Sequence, residues 1–413
     1  MLEAGENDVL ELEGGLKSER NQLQIGENTI PIESDDISYN EFFTKYLCKN
    51  LPCILQIKAT KNWKSVNEWT LNKKPNFTYI AEKFGSAAVP VANCDEKYYN
   101  AQKKSDSSLS DYLIYWREYI EKCHTDLPCL YLKDWHFTRD FPDENIYRVP
   151  KYFASDWLNE YFTAKKDIKD DYRFVYMGPK GSWTPLHVDV FTSFSWSINI
   201  CGRKRWILFP EGEEDCLRDK FGHLAYDATS PEMSDEKLYP AFKNLKLSIE
   251  VIQEMGEAIF VPSGWHHQVW NLEDTISINH NWVNGCNIGT MWTSLQENLM
   301  AVKKEVDDCK DMEDWNEHCQ LMLQATFGMN YQEFYYFLYF IGRIRLDSLK
   351  NTSPVIIYGN WKLTRNHILF DLRQLLKVFT SVINDSDVIN LTFYKNLTDS
   401  PQEFVSEIES YIL

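Results

Sequence analysis

Three kinds of feature are missing from the sequence. None of its apolar runs approaches the roughly 18 to 20 residues that a membrane-spanning helix needs. The first residues, MLEAGENDVLELEGG, are acidic and have no apolar centre, unlike a signal peptide. The ten cysteines form no C-x-x-C pair and no cluster with histidine at zinc-finger spacing. We therefore expect no membrane partner, and free, buried thiols in a reducing compartment, the cytoplasm or also the nucleus.

Basic residues are also scarce. Lysine and arginine total 43 against 61 aspartate and glutamate residues, which gives a formal net charge of −18. A nucleic-acid-binding protein normally carries a basic stripe, so we expect no nucleic-acid partner. An acidic surface attracts partners rich in lysine or arginine, but it also keeps a protein soluble without any partner. Both interpretations of the charge stay open at this point.

The composition and patterning indicate a globular protein with several parts. Hydrophobic residues make up 44% and aromatic residues 15% of the chain, enough for a buried core. We predict an acidic, mobile tail over residues 1–25 and a mixed α/β part over residues 26–165 that supports the core. Strand patterns dominate residues 166–285, and helical spacing dominates residues 286–413. The predicted fold class is a mostly β core with helices and a C-terminal helical region.

The segment TPLHVD contains the first candidate metal ligands, His187 and Asp189. Residues two apart in an extended strand point to the same face, so both side chains can approach one ion. A third ligand is available from one of the two adjacent histidines in GEAIFVPSGWHHQVWNL. Two histidines and one carboxylate leave three octahedral positions open, which suits Fe(II) and oxygen chemistry. A His-x-Asp sequence on its own also occurs in many proteins where the histidine is only structural. The surrounding residues must therefore decide between a metal ligand and a structural histidine.

Those surroundings predict a polar lumen. Along the predicted strand 191–200, small polar residues share one face and large apolar residues the other; the polar ones are Ser193, Ser195, Ser197 and Asn199. After the turn at Gly202, Lys204 shares a face with Trp206 and Leu208. If that face looks inward, Lys204 is a buried cation that needs an anion, and a dicarboxylic cosubstrate would supply one. The alternative is a lysine on the surface.

Together, the segments TPLHVD, GRKRWILFP and GEAIFVPSGWHH resemble the Jumonji-C hydroxylases, which are Fe(II)- and 2-oxoglutarate-dependent dioxygenases. The resemblance covers about residues 170–285 and is specific as a combination. It implies a double-stranded β-helix related to cupins. It also implies that the protein uses Fe(II), 2-oxoglutarate and O2.

The resemblance assigns a role to individual residues. It implies His187, Asp189 and His267 as the catalytic iron ligands, while His266, as the neighbour on the same strand, points the other way. Lys204 and Thr184 match the residues that bind the distal carboxylate of 2-oxoglutarate, and Asn279 and Ser197 match further cosubstrate-contacting positions. Tyr176 lines the cosubstrate or substrate pocket, or else is an ordinary core aromatic.

The resemblance also implies a reaction. It points to hydroxylation of a carbon atom of a protein-bound lysine, with a translation termination (release) factor as the substrate. A Jumonji-C demethylase of N-methyl-lysine or N-methyl-arginine is the first alternative, although no zinc module or reader domain accompanies the core. The second alternative is an inert cupin-like binding module, against which the complete set of metal ligands and Lys204 argue.

Overall fold

A computed structural model of the chain describes residues 9–16, 29–122, 126–165 and 170–412. In chain order its strands are β1 Val9–Leu10, β2 Ile32–Ser34, β3 Cys53–Gln56, β4 Thr70–Leu71, β5 Lys74–Pro75, β6 Ala88–Tyr98, β7 Ala101–Ser108, β8 Leu130–Trp135, β9 Arg173–Gly178, β10 Trp183–His187, β11 Phe194–Cys201, β12 Lys204–Phe209, β13 Ile249–Gln253, β14 Glu257–Val261, β15 His266–Asn271, β16 Thr275–Trp282, β17 Ile356–Ile357 and β18 Trp361–Leu363.

The helices surround these strands and are concentrated in the last third of the chain. They are α1 Tyr39–Phe42, α2 Lys64–Glu68, α3 Phe77–Phe84, α4 Leu109–Glu121, α5 Phe137–Asp140, α6 Trp157–Ala164, α7 Ile288–Glu305, α8 Trp315–Phe327, α9 Tyr331–Asn351, α10 Arg365–Asn384, α11 Ser386–Ile389, α12 Thr392–Lys395 and α13 Pro401–Ile412. Several begin at a side chain that accepts a hydrogen bond from a first-turn N–H, which satisfies a donor that the helix leaves unpaired. These caps are Asn76, Ser108, Asp156, Asn330 and Thr364.

Two sheets that face each other form the core. The larger has the strand order β2-β3-β14-β11-β16-β9-β8-β6-β7, and the smaller has the order β10-β15-β12-β13. The side chain of Asn199 in β11 donates a hydrogen bond of 3.1 Å to the backbone carbonyl of Gln253 in β13, which joins the two sheets directly. The strands have the arrangement of a jelly roll, so the predicted double-stranded β-helix core is confirmed.

The register of the larger sheet sorts polar from apolar side chains. Ser197 of β11 lies opposite Asn279 of β16, and Ile198 lies opposite Ile278. Both isoleucines belong to the main hydrophobic core, so the polar pair faces the smaller sheet. The strand begins later than the predicted residue 191, because Phe191 and Thr192 have left-handed backbone angles (φ 59° and 50°) that an extended strand cannot contain.

The turn at Gly202 sets the register of the next strand. Its φ is +77°, and a Cβ there would lie 2.4 Å from Thr275 Oγ1 and 2.5 Å from the carbonyl oxygen of Asp274. Only glycine satisfies both the backbone angle and this close approach. The chain therefore enters β12 at Lys204, opposite Asn271 of β15.

A long segment between β12 and β13 covers the outer face of the smaller sheet. Leu186 and Ile207 of the sheet pack with Leu217, Ala225 and Met233 of this segment in one buried cluster. The smaller sheet is thus buried on both faces, which explains why nearly every residue of β12 is shielded from solvent.

The predicted C-terminal helical region is confirmed, and it packs on the larger sheet. Arg345 of α9 is fully buried and binds two carboxylates: Nη1 lies 2.7 Å from Glu160 of α6, and Nε lies 2.9 Å from Asp371 of α10. This ion-paired group joins the helical region to the part of the chain before the core. None of the helices in the described ranges combines the length and the apolar composition that crossing a membrane requires.

The prediction of a mobile tail over residues 1–25 is wrong for residues 9–16. Val9 and Leu10 pair in parallel with Lys362 and Leu363 of β18, and Leu10 and Leu12 are completely buried. Because acidic residues surround these two leucines, the sequence pattern does not show that they are buried. The rest of the predicted tail lies outside the described residues. The division at residue 165 stays a prediction, although the larger sheet contains strands from both sides of it.

Candidate metal centre and its chamber

Three side chains of the smaller sheet and its adjoining loop converge at one end of the barrel. His187 at the end of β10 lies opposite His267 near the start of β15. Within the described ranges, His187, Asp189 and His267 are the one group of three or more ligating side chains whose donor atoms all lie within 4.8 Å of one another. His267 Nε2 lies 3.8 Å from Asp189 Oδ2, and the two imidazole centroids lie 4.2 Å apart.

Backbone carbonyls fix the tautomer of both imidazoles. His187 Nδ1 lies 2.8 Å from the carbonyl oxygen of Pro185, and His267 Nδ1 lies 3.1 Å from that of Trp265. A carbonyl oxygen only accepts, so each Nδ1 carries a hydrogen, and Nε2 is the nitrogen that can bind a metal. Burial and the neighbouring His267 lower the pKa of His187 to about 3, so this imidazole is neutral, as a metal ligand must be.

Asp189 is held by a neighbour on the facing sheet. It lies just beyond β10 and precedes the short helical turn Val190–Thr192, so it does not share a strand with His187 as predicted. Its backbone is nevertheless extended (φ −64°, ψ 150°), which brings its side chain to the two histidines. Ser195 Oγ donates a hydrogen bond of 2.6 Å to Asp189 Oδ2. The donor set of two imidazoles and one oriented carboxylate fits Fe(II).

His266 lies on the opposite face of β15 from His267. In the register with β12, His266 is opposite Phe209 and His267 is opposite Leu208. Burial lowers the pKa of His266 to about 4. Its ring borders a groove of about 800 Å³ outside the barrel, between the smaller sheet and helix α7. His266 therefore cannot reach the three converging donors.

Lys204 is a buried cation on the inner face of β12, as the sequence predicted. It is 2% exposed, and its Nζ donates a hydrogen bond of 2.8 Å to Ser277 Oγ. In the described part of the chain no carboxylate lies within 4.0 Å of it. Burial lowers the pKa of Lys204 to about 7. A lysine desolvated in this way gains most from an anion that enters the chamber, which fits the distal carboxylate of 2-oxoglutarate.

Other polar atoms of the lumen also fit a polar ligand. Ser197 Oγ, Asn199 Oδ1 and Asn271 Oδ1 are buried without a hydrogen-bond partner among the described residues. Buried polar atoms are almost always paired, so three such atoms near one cation indicate a ligand-binding space. Asn271, the cross-strand neighbour of Lys204, was missed by the sequence analysis. Its place on the His267 face of β15, four residues further along, is the signal that could have found it.

The remaining predicted residues line the same space in different ways. Thr184 lies on β10 opposite Val269, which shares the inward face of β15 with His267. Asn279 Nδ2 donates a 3.1 Å hydrogen bond to Ser277 Oγ, so it supports the partner of Lys204 without contacting Lys204 itself. The ring centroid of Tyr176 lies 5.7 Å from Lys204 Nζ, which places this tyrosine on the chamber wall.

In this arrangement separate groups of residues would bind the metal and orient the cosubstrate of an oxygenase. When bound, Fe(II) with 2-oxoglutarate and O2 supplies the oxidation of a C–H bond that no side chain can carry out. His187, Asp189 and His267 would hold the metal from one side, and Lys204 with its polar neighbours would orient the cosubstrate. The apolar outer faces of both sheets exclude water from the chamber walls.

Comparison with known proteins agrees with this chemistry. A family model described as a cupin-like domain matches residues 39–287. The 2-oxoglutarate and iron-dependent oxygenase JMJD4 of Gallus gallus is 48% identical over 366 residues, 86% of this chain and 85% of that protein. The JMJD4 oxygenase of Danio rerio is 47% identical over 388 residues, 91% of each chain. The arginine-specific demethylase JMJ20 of Arabidopsis thaliana is 37% identical over 391 residues, 90% of this chain and 83% of that protein. The chain therefore belongs to the cupin-like Jumonji-C family of 2-oxoglutarate- and iron-dependent oxygenases that includes JMJD4.

Proposed function

We propose that this oxygenase hydroxylates a carbon atom of a lysine side chain in a protein, and that a translation termination (release) factor is the substrate. One oxygen atom of O2 enters the lysine C–H bond, and the other leaves in succinate as 2-oxoglutarate loses CO2. The substrate is the finer part of the proposal and rests on the resemblance of the motifs around His187, Lys204 and His267 to the Jumonji-C hydroxylases.

The charge of the chain is the observation that favours a lysine-bearing substrate. Acidic residues exceed basic residues by 61 to 43. A surface of this sign raises the local concentration of a basic protein segment and repels nucleic acid. A protein partner in the cytoplasm, where termination factors act, is consistent with this charge, and no nucleic-acid or membrane partner is part of the proposal.

Demethylation of N-methyl-lysine or N-methyl-arginine is the second candidate. It is favoured by one specific observation, the 37% identity to a relative named as an arginine-specific demethylase. Both reactions use the same metal and cosubstrate chemistry, so they differ in whether a side-chain carbon or an N-methyl group is placed near the iron. An inert binding module does not fit a chain that keeps all three donors and Lys204.

Mass spectrometry separates the two candidates. The purified protein is incubated with Fe(II), 2-oxoglutarate, O2 and either a recombinant release factor or N-methylated lysine and arginine peptides. We expect one added oxygen atom on a release-factor lysine, and no change with the Asp189→Ala enzyme. Loss of a methyl group from the peptides, with no oxidised lysine, would establish the demethylase instead. Oxidation of another residue type would overturn the proposed substrate.

A further inference from the structure

Asp134 occupies an unusual backbone position inside a strand of the larger sheet. Its φ is +60°, in the left-handed region, although the residue lies within β8. The register of β8 against β9 shifts between Leu132 and Trp135, so the strand is bulged here. Bulges re-aim side chains, and a strained backbone is kept where the surroundings determine it and often where it serves a function.

The bulge directs the Asp134 carboxylate to the wall of the metal chamber. Tyr176 OH donates a hydrogen bond of 2.5 Å to Asp134 Oδ1, and the Tyr176 ring also lies beside Lys204. Tyr176 thus links Asp134 to Lys204, the residue that fits the distal carboxylate of 2-oxoglutarate.

A lysine of this chain already binds the Asp134 carboxylate. Lys104 comes from β7, the edge strand of the larger sheet, and forms an ion pair with Asp134 Oδ2. The Lys104 side chain is 49% exposed and that of Asp134 is 34% exposed, so the pair can be reached from solvent. An alkyl chain ending in an ammonium group therefore reaches the chamber wall from outside, as a target lysine would have to.

We propose that Asp134 is the specificity-determining carboxylate that binds the ammonium group of the target lysine, and that Lys104 occupies this position until substrate displaces it. The inference rests on the proposed lysyl hydroxylation and extends it. Hydroxylation on carbon leaves the nitrogen as an ammonium group before and after the reaction, so a carboxylate anchor fits both substrate and product. Anchoring the nitrogen at Asp134 presents the carbon chain of the lysine, and not an N-methyl group, toward the metal.

A neighbouring ion pair shows what an ordinary surface contact on this hairpin looks like. Lys103 binds Glu96 at 2.7 Å, both side chains are about half exposed, and neither residue has a left-handed backbone. Among the described residues neither side chain of this pair hydrogen-bonds to a tyrosine, and Lys103, as the neighbour of Lys104 on β7, points to the opposite face of the sheet. Lys103→Ala is therefore a matched control for Lys104→Ala, since it removes an adjacent lysine and an ion pair of the same hairpin.

Three variants test the proposal with the release factor as substrate. Asp134→Asn keeps the shape and tolerates the left-handed backbone, since asparagine is enriched there. We expect its KM for the protein to rise on the order of tenfold to a hundredfold, with a smaller change in kcat, because a charged hydrogen bond is lost. Lys104→Ala should lower KM severalfold, since it removes the competing cation, and Lys103→Ala should leave KM unchanged.

A purely structural role of the ion pair predicts that the Asp134 and Lys104 variants both lose activity, and that result would overturn the inference. A binding probe makes the test independent of the substrate: saturation-transfer NMR with n-butylammonium, and with n-butanol as the neutral control. We expect a signal for the ammonium that Asp134→Asn abolishes and Lys104→Ala strengthens. If the wild type oxidises lysine but neither KM nor this signal depends on Asp134, the inference fails and the proposed function stands. If the signal depends on Asp134 but no lysine is oxidised, the ammonium site stands and the proposed function fails.

Discussion

Ser195 Oγ and Asp189 Oδ2 are joined by a hydrogen bond of 2.6 Å that crosses from the larger sheet to the metal-binding loop. Partners of this kind orient a ligand, and their loss typically weakens metal binding roughly 10- to 100-fold. We expect Ser195→Ala to weaken Fe(II) or Mn(II) affinity by that factor, measured by titration under anaerobic conditions. Ser193→Ala is the control, because the Ser193 hydroxyl contacts Asn281 and not Asp189. Equal affinity in the Ser195 variant and the wild type would contradict an orienting role.

The two adjacent histidines should differ in metal binding. His267→Ala removes a donor, and we expect bound iron to fall to the level of Asp189→Ala, with succinate formation abolished. His266→Ala changes the outer face of β15, so its iron content should stay near that of the wild type. Metal analysis of each purified variant, with circular dichroism as a check on folding, decides between them. Iron loss in the His266 variant and retention in the His267 variant would mean that the register of β15 is wrong by one residue.

Lys204 should set the affinity for 2-oxoglutarate. Removing one member of a water-shielded ion pair leaves the other charge unpaired, at a cost of roughly 3 to 5 kcal/mol. Lys204→Ala should therefore raise the apparent dissociation constant for 2-oxoglutarate by about two or more orders of magnitude, since each ~1.4 kcal/mol changes that constant about tenfold. Lys204→Arg keeps the charge but not the shape and should restore binding in part. Metal affinity should persist in both variants, and a wild-type 2-oxoglutarate constant in Lys204→Ala would contradict the assignment.

Lys204 should also make the affinity for 2-oxoglutarate depend on pH. Burial lowers the pKa of Lys204 to about 7 in the protein without an anion. Below that pH the ammonium is already present, whereas above it binding must take up a proton, so affinity falls as pH rises, by at most about tenfold per pH unit. Calorimetry with Mn(II)-loaded protein from about pH 6 to about pH 9 measures this slope. His187, with a pKa lowered to about 3, does not titrate in this range. Lys204→Arg should flatten the profile, and an equally steep profile in that variant would exclude Lys204 as its source.

Arg345 should matter for stability because Glu160 and Asp371 would lose the buried cation that both of them bind. The Arg345 side chain is completely buried, whereas Arg343 of the same helix binds Glu407 with its side chain 34% exposed. We expect Arg345→Met to lower the free energy of unfolding by roughly 3 to 5 kcal/mol. Arg343→Met should lower it by about 1 kcal/mol or less. Urea unfolding of both variants measures the difference, and equal losses would argue against the buried ion-paired group as a source of stability.

The sequence is most informative where chemistry depends on local spacing. The inward face of Lys204 follows from strand alternation and from the turn at Gly202, both of which can be read from the sequence. The spacing of His187 and Asp189 also predicted that they converge, although Asp189 lies just beyond the strand. The mostly β core and the C-terminal helices follow from periodicity over longer windows.

The missed residues depend on tertiary structure instead. Asp134 faces the chamber because of a bulge and a left-handed backbone, and no propensity predicts a left-handed aspartate inside a strand. Asn271 becomes part of the chamber through its register with Lys204, a pairing between distant segments. Leu10 and Leu12 look like part of a mobile acidic tail until the pairing of β1 with β18 is known.

The pairing of β1 with β18 has a consequence for biosynthesis. Val9 leaves the ribosome before its partner Lys362, and about 350 residues separate the two. At synthesis rates of about 5 to 20 residues per second, the waiting time is on the order of 20 to 70 seconds. During that time β1 lacks its partner strand, although all strands of the two facing sheets have already been made. The N-terminal strand therefore docks after the barrel is complete, and a chaperone that binds short apolar segments would have this interval in which to hold it.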